Sequence, residues 1–170
     1  MSHKSLEGLK ILQDLSEEER REIFALTRQV EVKKGEQIMT QGHHKQSLWF
    51  ILEGRCQITR RTESGCQLNL AELEPFTHFG EMSFFDPAPH SADVVALTDM
   101  KLLRLTREDF DKLAATGCRS ALKLVINCVQ VMAERLRRTD QWITELECKE
   151  NHKPTPSEWT VFRDLIFKGG

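Results

Sequence analysis

The residues best equipped for chemistry in this chain lie between Phe79 and Ala96, in the run Phe-Gly-Glu-Met-Ser-Phe-Phe-Asp-Pro-Ala-Pro-His-Ser-Ala-Asp-Val-Val-Ala. Their types and order suit the capture of an anion. Gly80 lets a ligand come close to the backbone, a short helix opening near Glu81 would aim free N–H groups at a phosphate, and Ser91 can donate a further hydrogen bond. A cradle of this kind is expected to carry a fixed cation, and at that place the chain has His90. Although His78 and His90 lie near Ser83, Ser91 and Glu81 in sequence, no spacing among them resembles a metal or triad motif, so an enzyme is the reading least supported.

The elements that must position these residues begin with helices. Leu6, Leu9, Ile11 and Leu12 suggest a short helical start, and Ser16-Glu17-Glu18-Glu19 reads as a capping box for a second helix carrying Ile23, Phe24 and Leu26 on its apolar side. From there the pattern shortens into strand-like segments: Gln29 to Val32, Gln37 to Thr40, Ser47 to Glu53, Arg55 to Thr62, Gln67 to Leu73, Ala92 to Leu97 and Lys101 to Leu105. Glycines at positions 35, 42, 54 and 65 fall at the breaks between them, as chain reversals require. Short strands at this spacing predict a β sandwich or barrel, with Trp49, Phe50 and Ile51 inside, and the flanking helices make the whole α+β.

Thr106 with Glu108 and Asp109 predicts a capped helix burying Phe110 and Leu113 and ending at Gly117. The segment from Arg119 to Glu150 has neither Gly nor Pro. In it Val125, Val129, Met132, Leu136, Thr139, Ile143 and Leu146 recur at spacings of four and three, an a/d stripe that would either pack on the β domain or pair two copies in a homodimer. The dimer, through Val125, Val129, Met132, Leu136 and Ile143, is the reading preferred here, because such a helix is longer than one small sheet covers. Beyond it, Asn151 to Pro156 reads as a linker and Thr155-Pro156-Ser157-Glu158 as the start of a final amphipathic helix with Trp159, Phe162, Leu165 and Ile166 on one stripe. The resulting division is 1–118 for the β domain with its helices, 119–150 for the long helix, and 151–170 for linker and final helix.

Composition narrows the function class. With 24 basic and 26 acidic residues the formal charge is −2, which gives no strongly basic field of the kind a dedicated nucleic-acid binder carries. The five cysteines form no Cys-x-x-Cys pair and are odd in number, so a disulfide framework, a zinc site and an iron-sulfur site are all disfavoured. No apolar run approaches the ~20 residues of a membrane span, and no signal-peptide core stands at the amino terminus, so a cytoplasmic location is expected.

Three blocks, Lys-Lys-Gly-Glu-Gln-Ile-Met-Thr-Gln-Gly from Lys33 to Gly42, Leu-Trp-Phe-Ile-Leu-Glu-Gly from Leu48 to Gly54, and Phe-Gly-Glu-Met-Ser-Phe-Phe from Phe79 to Phe85, stand in an order and spacing of diagnostic value. By them the chain resembles, from about Leu9 to about Leu146, the cyclic-nucleotide-binding domain of the family that includes the catabolite activator protein and the regulatory subunits of cyclic-nucleotide-dependent kinases. The resemblance implies a β jelly roll with N-terminal helices, a short phosphate-cassette helix and a long C-terminal helix. It implies that Glu81 accepts a hydrogen bond from a ribose 2′-hydroxyl, that Phe79, Gly80, Met82 and Ser83 line the ligand through their backbone, that His90, Ser91 and Ala92 face the phosphate, and that Arg135 and Thr139 lie where the family's helix covers the base. A local helix-terminus role for Glu81 and a register-setting role for Thr139 remain open alternatives on the residues alone.

The chain departs from that pattern twice. His90 stands where the family carries Arg, so a neutral ring with one usable donor replaces a permanent planar fork. Phe76-Thr77 stands where a Gly-Asp turn is usual, and His78, on the segment that follows, is expected either at the surface or facing the same region as His90. A sensor of cAMP or cGMP, or of a related phosphate ligand, is therefore the leading expectation, with no other cofactor. A nucleotide-independent interaction module working through the final helix is the alternative from another class, and a truncated transcriptional regulator a third. Direct DNA binding is not expected, because only the segment after Glu150 follows the long helix. A haem sensor is conceivable for this fold, but the histidines and cysteines show no attachment signature.

Overall fold

The computed structural model describes residues 8–63 and 65–149. The final helix expected after Glu150, with its linker, lies outside the described residues, as does the first helical residue expected at Leu6. A 3-10 turn, Lys10–Leu12, precedes helix α1, Glu17–Ala25. Its capping box forms as the residues dictate: Ser16 Oγ accepts from Glu19 N at 3.2 Å and Glu19 Oε2 accepts from Ser16 N at 2.7 Å. Three glutamates occupy the first turn, where the helix dipole favours negative charge.

Eight strands follow: β1 Arg28–Val32, β2 Gln37–Met39, β3 Ser47–Glu53, β4 Cys56–Arg61, β5 Gln67–Leu73, β6 His78–Phe79, β7 Asp93–Ala96 and β8 Met100–Thr106. They form two antiparallel four-stranded sheets, ordered β1-β8-β3-β6 and β2-β7-β4-β5, a sandwich as the strand spacing predicts and the jelly roll that the resemblance implies. Helix α2, Glu81–Phe85, is inserted between β6 and β7, and α3, Arg107–Ala115, and α4, Arg119–Lys149, close the described chain.

Between the sheets lie Val32, Met39, Trp49, Ile51, Cys56, Phe79, Val94, Ala96, Met100 and Leu102, with Trp49 and Phe79 stacked at 6.0 Å between ring centroids. The opposite face of β3 is buried too. Leu48 and Phe50 are buried, and Phe50 meets Phe24 of α1 edge-on at 5.9 Å. A strand covered on both faces reads as a continuous apolar run, so the alternation of Leu48 to Leu52 is lost. An aromatic group of Phe84, Phe85 and Phe110 joins α2 to α3, with Phe84 and Phe110 at 5.4 Å.

Two compact units divide the chain, one running through Cys128 and the other beginning at Val129. The start of α4 thus belongs with the β domain. There Ala121, Leu124 and Cys128 are buried, and polar residues between them reach the N-terminal helices: Ser120 Oγ donates to Glu22 Oε2 at 2.6 Å, Lys123 Nζ to Glu19 Oε2 at 2.6 Å, and Asn127 Nδ2 to Asp14 Oδ1 at 2.6 Å and Ile11 O at 3.1 Å. Among the described residues, no helix is long and apolar enough to cross a membrane.

Candidate functional site

The cassette is built from the turn out of β6. Gly80 takes φ +90°, a left-handed conformation, and serves as the N-cap residue of α2. A Cβ there would stand 2.5 Å from Ser47 O, a backbone atom of β3, so both the conformation and the space demand glycine. Helix α2 is only five residues long, and its C-terminal end is held from outside. At its C-terminal end Gln46 Nε2 donates to Phe84 O at 3.1 Å, and Arg107 Nη1 donates to the same oxygen at 3.0 Å, placing a guanidinium where the helix leaves its carbonyls free. Neither residue has a local sequence signal for this role, since each arrives from a distant part of the chain.

Glu81 and His90 are 2% and 5% exposed, so these two ionisable groups of the cassette are inside the protein, whereas Asp86 is exposed. His90 Nδ1 and Ser83 Oγ share a hydrogen bond of 2.9 Å, and Ser83 Oγ lies 3.4 Å from Gly80 O. Burial pushes the His90 pKa below its ordinary value, and His43, His44 and Lys45 push it the same way. The ring is therefore neutral at neutral pH, and an anion bound beside it would reverse part of that shift.

The other residues expected at the site divide by burial. Ala92 is buried, Ser91 and Met82 are exposed, and the Phe79 side chain belongs to the inter-sheet core, so only its backbone is available to a ligand. Cassette residues 79–92 thus come together in one unit. Arg135 and Thr139 lie on α4 in the second unit, both exposed, with Thr139 Oγ1 donating to Arg135 O at 3.0 Å. His78 is not the surface histidine one alternative allowed. It is buried in β6 and paired with Phe50 across the sheet, because two residues after the Phe76 turn suffice to re-enter the ladder.

Phe76, in the turn where a Gly-Asp pair is usual for the fold, takes φ +64° and is the one non-glycine residue with positive φ among those described. Pro75 before it and the bond from Thr77 Oγ1 to Glu74 O at 2.6 Å hold that turn. Along α4, the large apolar side chains that stand exposed among the described residues are Leu122, Ile126, Val129 and Leu136, whereas Val125, Met132 and Ile143 are half-buried. The stripe open to a partner is thus phased differently at its start from the expected one. No group of three or more His, Cys, Asp or Glu side chains is arranged to hold a metal among the described residues.

A family model described as the cyclic nucleotide-binding domain matches residues 29–116, just over half the chain, and spans all eight strands, α2 and α3 apart from their outer edges. The chain belongs to the cyclic nucleotide-binding domain family. It is 36% identical over 118 residues to the "Cyclic AMP receptor protein" of Thermus thermophilus, a match covering 69% of this chain and 52% of that protein. It is 29% identical over 127 residues to the "CRP-like cAMP-activated global transcriptional regulator" of Mycobacterium tuberculosis, covering 73% of this chain and 55% of that one. The crystal structure of the Thermus thermophilus catabolite activator protein superposes with a TM-score of 0.74 at 30% identity, covering 81% of this chain and 63% of that chain. The chain therefore spans about half the length of the curated bacterial relatives it matches, of which one is a transcriptional regulator and the other a cyclic AMP receptor by name.

Proposed function

We propose that this chain is a regulatory sensor module, not a catalyst, that binds cAMP or cGMP, or a related phosphate ligand, on the segment from Gly80 to Ala92. The observation that carries the reading is the conjunction of a left-handed Gly80 against β3, a buried Glu81 directly after it, and a buried His90 hydrogen-bonded to Ser83. In this reading Glu81 accepts from a ribose 2′-hydroxyl, a charge-assisted bond that a sugar lacking that hydroxyl cannot make. The amides of Gly80, Met82 and Ser83, with His90 and Ser91, receive the phosphate. The bound state is transmitted by α4, whose first turns share a unit with the cassette.

Calorimetry with cAMP and cGMP at about pH 6 and pH 7.5 tests the proposal. Measurable binding that His90→Arg strengthens by roughly ten- to a hundredfold supports it, the gain being that of a charge-assisted bond of about 1.5–3 kcal/mol. No heat at millimolar ligand at either pH overturns it.

A homodimer through α4 is proposed on a separate observation, the exposed series Leu122, Ile126, Val129 and Leu136 at spacings of four, three and seven. Such a series forms one face of a helix and matches a coiled-coil seam. Sedimentation should show a dimer that Ile126→Glu converts to monomer; a wild-type monomer at tens of micromolar would remove this part of the reading.

A further inference from the structure

Between β2 and β3 runs the sequence Gly42-His43-His44-Lys45, all four residues exposed, which no role described so far uses. This loop is tied to the cassette. His90 accepts at its carbonyl from Gly42 N at 2.9 Å and donates its own N–H to His43 O at 2.9 Å, so consecutive loop residues clamp it from both sides. One residue further on, His44 Nδ1 lies 3.3 Å from Pro87 O, extending the contact along the segment that leads into His90. The loop and residue 90 are therefore joined through their backbones, and the loop carries two exposed histidines and an exposed lysine.

The charge arithmetic of the cassette is otherwise poor for an anion. His90 is neutral and buried, and Glu81 stands on α2 and Asp86 just after it, both carboxylates in the same segment. Asp93, at the start of β7, is taken up by Gln37 Nε2 at 2.8 Å, Gln41 N at 2.9 Å and Arg61 Nη2 at 3.5 Å. Arg61 is thus committed to a carboxylate, and Arg107 to the carbonyls that end α2 and to Asp111 at 2.7 Å. Lys45 offers an ammonium on a flexible stem, and His43 and His44 offer imidazole N–H donors to an anion. Burial first, and then these three residues, hold the His90 pKa below its ordinary value, in keeping with the loop's backbone contacts to residue 90.

We propose that the Gly42–Lys45 loop is the second half of this chain's phosphate subsite, with Lys45, supported by His43 and His44, supplying toward the ligand's phosphate the charge that residue 90 lacks. The inference rests on the function proposed above, and its test separates the two. The full chain and the variants Lys45→Met, Lys45→Arg and His43→Gln/His44→Gln are titrated with cAMP by calorimetry. They are also titrated with inorganic pyrophosphate, while the imidazole resonances of His43, His44 and His90 are followed by NMR.

The expected result is that Lys45→Met weakens cAMP about three- to tenfold at low salt and less near 0.5 M salt, that Lys45→Arg restores it, and that the histidine variant loses most of the gain in affinity seen toward pH 6. If wild type binds cAMP and Lys45→Met binds it equally well, the cyclic-nucleotide reading stands and the loop inference falls. If wild type ignores cyclic nucleotides while pyrophosphate moves the three imidazole resonances and Lys45→Met abolishes that movement, the loop inference stands and the cyclic-nucleotide reading falls. Resonances unmoved by either ligand at about 10 mM overturn both.

Discussion

Replacing Gly80 with alanine separates two costs that the structure assigns to different causes. The first is conformational: at φ +90° an L residue pays the left-handed penalty of about 1–2 kcal/mol, lessened by the ~0.5–1 kcal/mol of unfolded-chain entropy that alanine removes. The second is steric, because the new Cβ would stand 2.5 Å from Ser47 O. That oxygen belongs to the first residue of β3, which is paired to β8 through Ser47 and Thr106, so the strand cannot step aside and the overpacking costs about 1–3 kcal/mol more. Gly35 supplies the control. It has nearly the same φ, +86°, with nothing within 4 Å of its virtual Cβ, so Gly35→Ala carries the first cost without the second. Urea denaturation followed by fluorescence of the tryptophans should therefore show Gly35→Ala down by about 0–1.5 kcal/mol and Gly80→Ala down by about 1–3 kcal/mol more than that. Equal losses in the two variants would show that β3 yields, and with it the claim that the cassette is braced against the sheet.

Three further outcomes follow from particular contacts. The His90 imidazole should titrate by NMR below its ordinary pKa of 6.5 in the free protein. Since the unfolded state then binds a proton that the folded state refuses, stability contributed by His90 is present above about pH 6.5 and is lost as pH falls toward the folded pKa; a His90→Gln variant should show a flatter pH dependence there. Phe76→Gly should raise the unfolding free energy by about 0.5–1 kcal/mol, because it relieves the positive φ of a bulky residue that is already 45% exposed; a loss of stability would mean the ring is packed where the exposure says it is not. Asn127→Ala should cost about 1–3 kcal/mol in thermal or chemical unfolding, since Ile11 O loses its side-chain donor inside the protein and the exposed Asp14 Oδ1 loses a partner as well; an unchanged midpoint would show that this contact does not hold α4 to the N-terminal turn.

Much of the local structure was legible in the chain. Ser16 and Glu19 specify their capping box within four residues, Thr106 caps α3 through Asp109 N at 3.2 Å, and the turn glycines bound strands that the structure places within a residue or two of the expected limits. What was not legible shares a cause. Strand β6 is two residues long, too short to show a period, and exists only because β3 offers Trp49 and Phe50 as partners. Between Ala121 and Met132 apolar residues occupy nearly every face of α4, so periodicity alone could not choose among stripes; the bonds from Ser120, Lys123 and Asn127 to the N-terminal helices choose, and they leave Leu122 and Ile126 outward.

The cassette divides in the same way. Its sequence by itself determined a glycine that lets a ligand approach the backbone, a carboxylate placed directly after it, and a histidine in the place of a fixed cation, since each depends only on residue type and near neighbours. Tertiary structure alone decided that Glu81 and His90 are buried, that Ser83 shares a hydrogen bond with His90, and that a loop nearly fifty residues earlier brings two histidines and a lysine to its edge. Backbone conformation is governed by atoms a few bonds away. Burial and charge are governed by whatever the chain reversals bring within a few ångströms, and no local pattern records that.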